Sequence, residues 1–184
     1  MFNQIVMNMK KFVIFLFVLA ASLSVKAQVY VGGSLGLWHN DDADNTSFTL
    51  APEVGYELNE AWSVGATLAF THSKTKKEEH KIIANGFAFA PYARYSFFNS
   101  KIVRLFVDGG IGVSTYKIKD GGDATSGFEL GLKPGIAIKL NEHFSFVTKY
   151  GFLGYRDDYM LGSSDGYGFS FSSEDLSIGF HYVF

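Results

Sequence analysis

The stretch "LAPEVGYELNEAWSVGATLAF", residues 50–70, sets a large apolar side chain at nearly every second position and fills the gaps with Gly, Ser, Thr, Ala and Glu. A period of two marks β-strands with two unlike faces. Asn59-Glu60-Ala61 breaks the pattern as a tight turn, so the stretch is a pair of strands. The fold depends on which face looks at the protein's own interior.

The same period runs almost everywhere after Gln28, broken by clusters of Gly, Asn, Asp, Ser and Lys, and no long helical pattern appears. Eight strands are expected, over residues 28–38, 47–58, 62–71, 82–97, 102–116, 127–140, 144–155 and 170–184. Their connections alternate in length. Asn59-Glu60-Ala61, Asn99-Ser100-Lys101 and Asn141-Glu142-His143 are short turns, whereas 39–46, 72–80, 117–126 and 156–169 are longer polar loops. An antiparallel up-and-down meander with two unlike ends follows, as in membrane barrels. The chain's 3 prolines sit in matched places, "APEVGYEL", "APYARYSF" and "KPGIAIKL", which puts Pro52, Pro91 and Pro134 at one depth on strands running the same way.

One face collects Val29, Val31, Phe48, Leu50, Trp62, Phe70, Phe87, Phe89 and, on the seventh strand, Phe144, Phe146, Tyr150 and Phe152. The other carries glycines and alanines with Glu53, Glu57, Arg94, Arg104, Asp108, Glu129, Lys133, Lys139, Lys149 and Asp175. A soluble eight-stranded barrel turns its apolar face inward, which would set the bulky aromatics on one another inside. With the apolar face toward lipid, the lumen instead holds five acids and five bases, and the balance matters because an unpaired buried charge costs several kcal/mol. Every backbone group in a bilayer must be paired, which only helices and closed barrels achieve. The expected fold is therefore all-β, an eight-stranded antiparallel up-and-down transmembrane β-barrel.

The N-terminus agrees with export. Lys10 and Lys11 precede an apolar run, Phe12 to Ala21, and Val25-Lys26-Ala27 offers small residues where a signal peptidase reads. The run is too short to cross a bilayer as a helix. Residues 1–27 read as a signal peptide, with translation starting at Met1 or Met9, and residues 28–184 as the barrel domain. Losing Lys10, Lys11 and Lys26 from the 16 bases leaves 13 against 18 acids, a formal charge of −5, which excludes nucleic acid as an expected partner. The absence of cysteine means that the domain holds together without disulfides.

The final "LSIGFHYVF" puts Phe180, Tyr182 and Phe184 on the apolar face, and this ending resembles the assembly signal of bacterial outer-membrane barrels. With "PEVGY", "PYARY" and the unlike ends, the mature chain resembles the small eight-stranded outer-membrane barrels: the membrane domain of outer-membrane protein A, the opacity-type proteins and the short porin-family barrels. The resemblance implies a cell outer-membrane location in a Gram-negative envelope. It implies contact with outer-membrane lipids, lipopolysaccharide and the barrel-assembly machinery. In one departure from the larger members, the sequence as read is expected to lack their peptidoglycan-binding domain.

Eight strands leave a lumen just wide enough for side chains. Tyr30, Trp38, Tyr92, Phe106 and the charges are expected to plug it, with Glu53 and Arg94 meeting across the interior. Loops carry the expected binding function toward an unknown surface partner, through Asp41, Asp42 and Asp44 in "HNDDADN" and through Tyr155, Arg156 and Tyr159 in the longest loop. Neither a cofactor nor a metal is expected. Two alternatives to a loop scaffold for adhesion, envelope integrity or partner binding are a small-solute porin and a lipid A-modifying enzyme. The enzyme would use His39, His72 or His80 with Ser34, Ser47 or Ser73, but no spacing picks out a triad. The apolar-out assignment predicts that the chain, folded into detergent micelles, changes its gel mobility on boiling in dodecyl sulfate. Good solubility in plain buffer with no such shift would reverse the faces.

Overall fold

The computed structural model describes residues 28–40, 45–77, 80–119, 121, 123–160, 165–171 and 176–184. The strands are β1 (Val29–Asn40), β2 (Asn45–Glu57), β3 (Trp62–Lys77), β4 (His80–Asn99), β5 (Val103–Ile118), β6 (Thr125–Lys139), β7 (Phe144–Lys149), β8 (Phe152–Asp157), β9 (Gly166–Ser170) and β10 (Ser177–Val183). Neighbours pair antiparallel from β1 through to β7, and β10 pairs with both β7 and β1. The sheet thus closes on itself. β7 and β8 are two halves of one stave, and β9 and β10 two halves of the last, giving a closed eight-strand antiparallel barrel.

The apolar side chains face out. Trp62, Val64, Leu68 and Phe70 alternate outward along β3, and Leu35, Val54, Phe89, Ile111, Leu130 and Phe180 do so on other strands. The nine residues from Trp62 to Phe70, on a strand tilted by roughly 40°, span about 20 Å along the barrel axis, close to the apolar band of an outer-membrane barrel. Aromatics gather at the short-turn rim, where Trp62 meets Tyr95 and Phe144 meets Tyr182, both with ring centroids 4.9 Å apart. The turns are built by side chains that cap backbone donors. Asn59 Oδ1 accepts from the N–H groups of Ala61 and Trp62, and Asn141 Oδ1 from those of His143 and Phe144.

Each proline stands where a ladder lapses. The β2–β3 register skips from Leu50 to Glu53 around Pro52, and the β4–β5 register skips from Phe89 to Tyr92 around Pro91. Pro134 lies where β6 changes partner from β7 to β8, and its carbonyl accepts from Tyr150 N–H at 3.1 Å. A ring nitrogen has no proton to give, and each site spares the sheet from needing one.

Two expectations require correction. The segment 72–80 is not a loop: β3 and β4 keep pairing to Lys77 and His80, so this hairpin projects about 15 Å beyond the apolar band. The seventh strand is not continuous either. Its register against β6 shifts by one residue between Lys149 and Leu153, and Gly151 adopts φ +94°. A one-residue bulge moves every later side chain to the other face. Phe152 accordingly points inward and is buried, while Leu153 and Tyr155 take the lipid-facing positions.

Gly151 is needed twice over. Its φ disfavours any side chain, and an added Cβ would lie 2.6 Å from the Phe171 ring. Gly151→Ala should therefore cost about 1–3 kcal/mol in urea unfolding from micelles. The control Gly36→Ala, whose Cβ would meet nothing nearer than Thr49 at 3.5 Å, should stay within about 0.5 kcal/mol.

Candidate functional site: the charged lumen

Glu53 sits at the centre of the interior. Arg94 Nη2 donates to its Oε1 at 3.1 Å, Tyr92 Oη at 2.6 Å and His181 Nε2 at 3.0 Å. Lys149 Nζ and Thr67 Oγ1 reach Oε2 at 2.8 and 3.3 Å. Arg94 also clasps Asp108 through two parallel bonds, Nε to Oδ1 at 2.7 Å and Nη2 to Oδ2 at 2.9 Å. Such planar, charge-assisted pairing is among the strongest hydrogen bonding available to side chains. Lys149 bridges the two acids, standing 2.9 Å from Asp108 Oδ2. Tyr30 Oη lies 2.6 Å from Tyr92 Oη, whose own proton points to Glu53, so Tyr30 is the donor.

Strand alternation explains how these groups meet. Arg94 and Asp108 are direct register partners on β4 and β5, both on the inward parity. Glu53 reaches them from β2, across β3, as expected from the sequence. With Tyr30, Thr67, Lys149 and His181, seven of the eight staves contribute to one cluster. Below it, Phe106 is wholly buried and its ring centroid lies 4.0 Å from the Arg94 guanidinium carbon, a cation–π contact. Facing glycines make room: a Cβ on Gly55 would collide with the Tyr30 ring, one on Gly65 with Tyr92, and one on Gly135 with Phe106.

The ten charged residues expected to form one network fall into separate groups. Glu57 pairs with Arg104 toward the short-turn end, and the buried Arg104 Nε has no partner among the described residues. Lys139 bonds to Asn99 Oδ1 and the Ser100 carbonyl at 2.6 and 2.8 Å, tying β6 to the β4–β5 turn instead of meeting a lumenal acid. Toward the loop end, Glu129 pairs with Lys133 and with Arg156 Nε at 3.1 Å, and Arg156 stacks over Phe152 at 3.7 Å. Asp175 lies outside the described residues.

A cavity of about 280 Å³ separates the central and loop-end groups. Glu53, Tyr92, Asp108 and Lys149 line it on one side, and Glu129, Lys133, Arg156, Tyr159 and Met160 on the other. Tyr159 is 8% exposed and bonds to Glu129. It turns inward between two residues of positive φ, Asp158 at 48° and Met160 at 61°. Met160 N–H donates to Ser114 Oγ at 3.0 Å, and the Asp158 backbone dips over Gly127, where any Cβ would collide with it.

Arg156 and Tyr159, expected in the surface loop, thus point into the barrel mouth in this structure. The bulge at Gly151 gives Arg156 the inward parity, and the backbone at 158–160 folds Tyr159 inward. Tyr155 remains exposed on the outside. Asp41, Asp42 and Asp44 lie outside the described residues, as does the expected signal peptide. Phe180 and Phe184 are exposed on the outer wall, and Tyr182 packs between Phe144 and Phe184. His72 faces outward, with Nδ1 2.8 Å from Asn85 Oδ1, while its neighbour Ser73 is buried inside, so those two do not share a face.

A closed eight-stranded barrel with an apolar waist and a charged interior defines a class, the small transmembrane β-barrels. The sequence profile of the "Outer membrane protein beta-barrel domain" family matches residues 13–184, and the chain belongs to that family. Solved structures agree on the fold. The N-terminal β-barrel domain of Pseudomonas aeruginosa OprF aligns at 13% identity with a TM-score of 0.52, covering 86% of this chain and 97% of that one. The outer membrane protein OprG from Pseudomonas aeruginosa aligns at 14% identity and 0.55, covering 86% and 95%. No curated protein matches the sequence. The outer membrane is accordingly the chain's place.

Removing Arg94 alone leaves two buried carboxylates to share one cation, Lys149. Arg94→Met should lower unfolding stability in micelles by about 3–5 kcal/mol. An unchanged urea midpoint would mean that the cluster contributes nothing to holding the barrel.

Proposed function

We propose that this outer-membrane barrel has a plugged lumen and acts as a rigid scaffold for its exposed end, serving adhesion, envelope integrity or the binding of a surface partner. The observation that carries the reading is the Glu53–Arg94–Asp108–Lys149 cluster. Arg94 and Asp108 pair on neighbouring strands, and Glu53 and Lys149 bond to them across the interior from non-adjacent strands, so a solute passing through would have to separate charges held in a poorly solvated site. The inward turn of Tyr159 supports the same reading from the loop side. At the exposed end, the β3–β4 hairpin continues well past the apolar band, as a presenting element would.

In this reading residues 1–27 are removed after Ala27, and Phe180, Tyr182 and Phe184 present the assembly signal to the barrel-assembly machinery. Lipopolysaccharide surrounds the outer wall. No enzymatic role is assigned.

Conductance tests the proposal. The mature chain, reconstituted in a planar lipid bilayer at high salt, should give no steady single-channel steps. Steady steps of uniform size would instead establish the small-solute porin reading and remove the plug.

A further inference from the structure

Just past the apolar band, the outer wall is not uniform. On the facet made by β3, β4 and β5, register alignment sets Phe70, Phe87 and Thr115 side by side as the last row of the band. The next outward row is His72, Asn85 and Lys117, and the row beyond it is Lys74, Ile83 and Lys119, where Lys119 N–H donates to the Ile83 carbonyl at 2.7 Å. Lys74, Lys117 and Lys119 are exposed, and none forms an ion pair among the described residues. Lys76 pairs with Lys81 one step further along the ladder. The acids nearest in sequence, Glu78, Glu79 and Asp120, lie outside the described residues. Further round the wall, on β8 beyond β6, the outward residue next to the band is an exposed acid, Asp157, beside Phe128.

We propose that the facet formed by His72, Lys74, Lys117 and Lys119 binds the phosphate groups of an anionic lipid headgroup in the outer leaflet. The rows lie about 5 and 10 Å beyond the Phe70 level along the barrel axis. The headgroup region of a bilayer extends about 5–8 Å beyond the hydrocarbon. Lysine stems lie along apolar surface and place their ammonium groups at that boundary, so Lys74 and Lys119 reach back to the level of Lys117. Three cations on two adjacent rows, Lys74 on one side of β4 and Lys117 and Lys119 on the other, then surround a site that the lipid's acyl chains approach from below, along Phe70 and Phe87. The long loops of such barrels lie on the outer side, which fixes the leaflet. A soluble phosphate would gain the charge contacts but not the apolar wall beneath them.

The full mature chain and a Lys74→Gln/Lys117→Gln/Lys119→Gln variant, both folded in non-ionic micelles and checked by gel shift, are titrated with fluorescent bisphosphorylated lipid A. The wild type should bind at least about tenfold more tightly than the variant at moderate salt. The corresponding triple Arg variant should restore the affinity, and Lys101→Gln at the short-turn end should leave it unchanged. Dephosphorylated lipid A should not distinguish wild type from variant. Equal affinity of wild type and triple Gln variant for the bisphosphorylated lipid overturns the proposal. So does complete displacement by millimolar inorganic phosphate, which would show a site for the free ion. Neither outcome bears on whether the lumen conducts.

Discussion

A hydrocarbon solvent offers no partner to a backbone N–H or C=O, and this one constraint organises the whole molecule. A strand entering lipid must be paired on both edges, so the sheet has to close, and here it closes through β10 and β1. Closure with eight staves fixes a narrow interior. Apolar residues are drawn to the outer wall, leaving polar and small ones for the inside. The lumenal charges follow from these steps: once inside a narrow wall they have little water to turn to, and they must satisfy one another.

Glycine and proline show how the wall adapts to its contents. Tyr30, Tyr92 and Phe106 fit because the inward positions facing them carry glycine. Prolines, which cannot complete a ladder, coincide with places where pairing already lapses or changes partner. The same sheet therefore closes all the way round and is interrupted at a few points within the apolar waist, one of which redirects the chain inward.

That redirection marks the boundary of what the sequence makes legible. Strand alternation and short Asn-led turns reveal the barrel, its orientation toward lipid and the inward set of Glu53, Arg94, Asp108 and Lys149, because each depends on local periodicity alone. Because β2 and β4 share no edge, the pair formed by Glu53 and Arg94 crosses the interior. The period of two carries no sign of where it slips by one residue. Gly151 is a cue, but one glycine among 20 does not announce a bulge, and unbroken alternation puts Phe152 on the lipid face where the structure buries it. The lysine-rich segment 72–80 reads as a loop from composition, yet its backbone continues a ladder already set by β3 and β4. Lys139 is legible as inward but not as a partner of a turn, since nothing in alternation reports depth along the axis.

Depth also explains how charge is divided within the lumen. The central cluster joins two carboxylates, Glu53 and Asp108, to two cations, Arg94 and Lys149, and Arg94, Glu53 and Asp108 are buried. The loop-end cluster sets Glu129 against both Lys133 and Arg156, and Lys133 is 33% exposed in its side chain. At the short-turn end, Glu57 pairs with Arg104 while Lys139 meets neutral oxygens. An uncompensated cation costs least where water reaches it and most where it does not. Among the described residues the lumenal charges are therefore not spread evenly: the central cluster is balanced, and the excess positive charge lies toward the two mouths, where solvent shares the work of stabilising it.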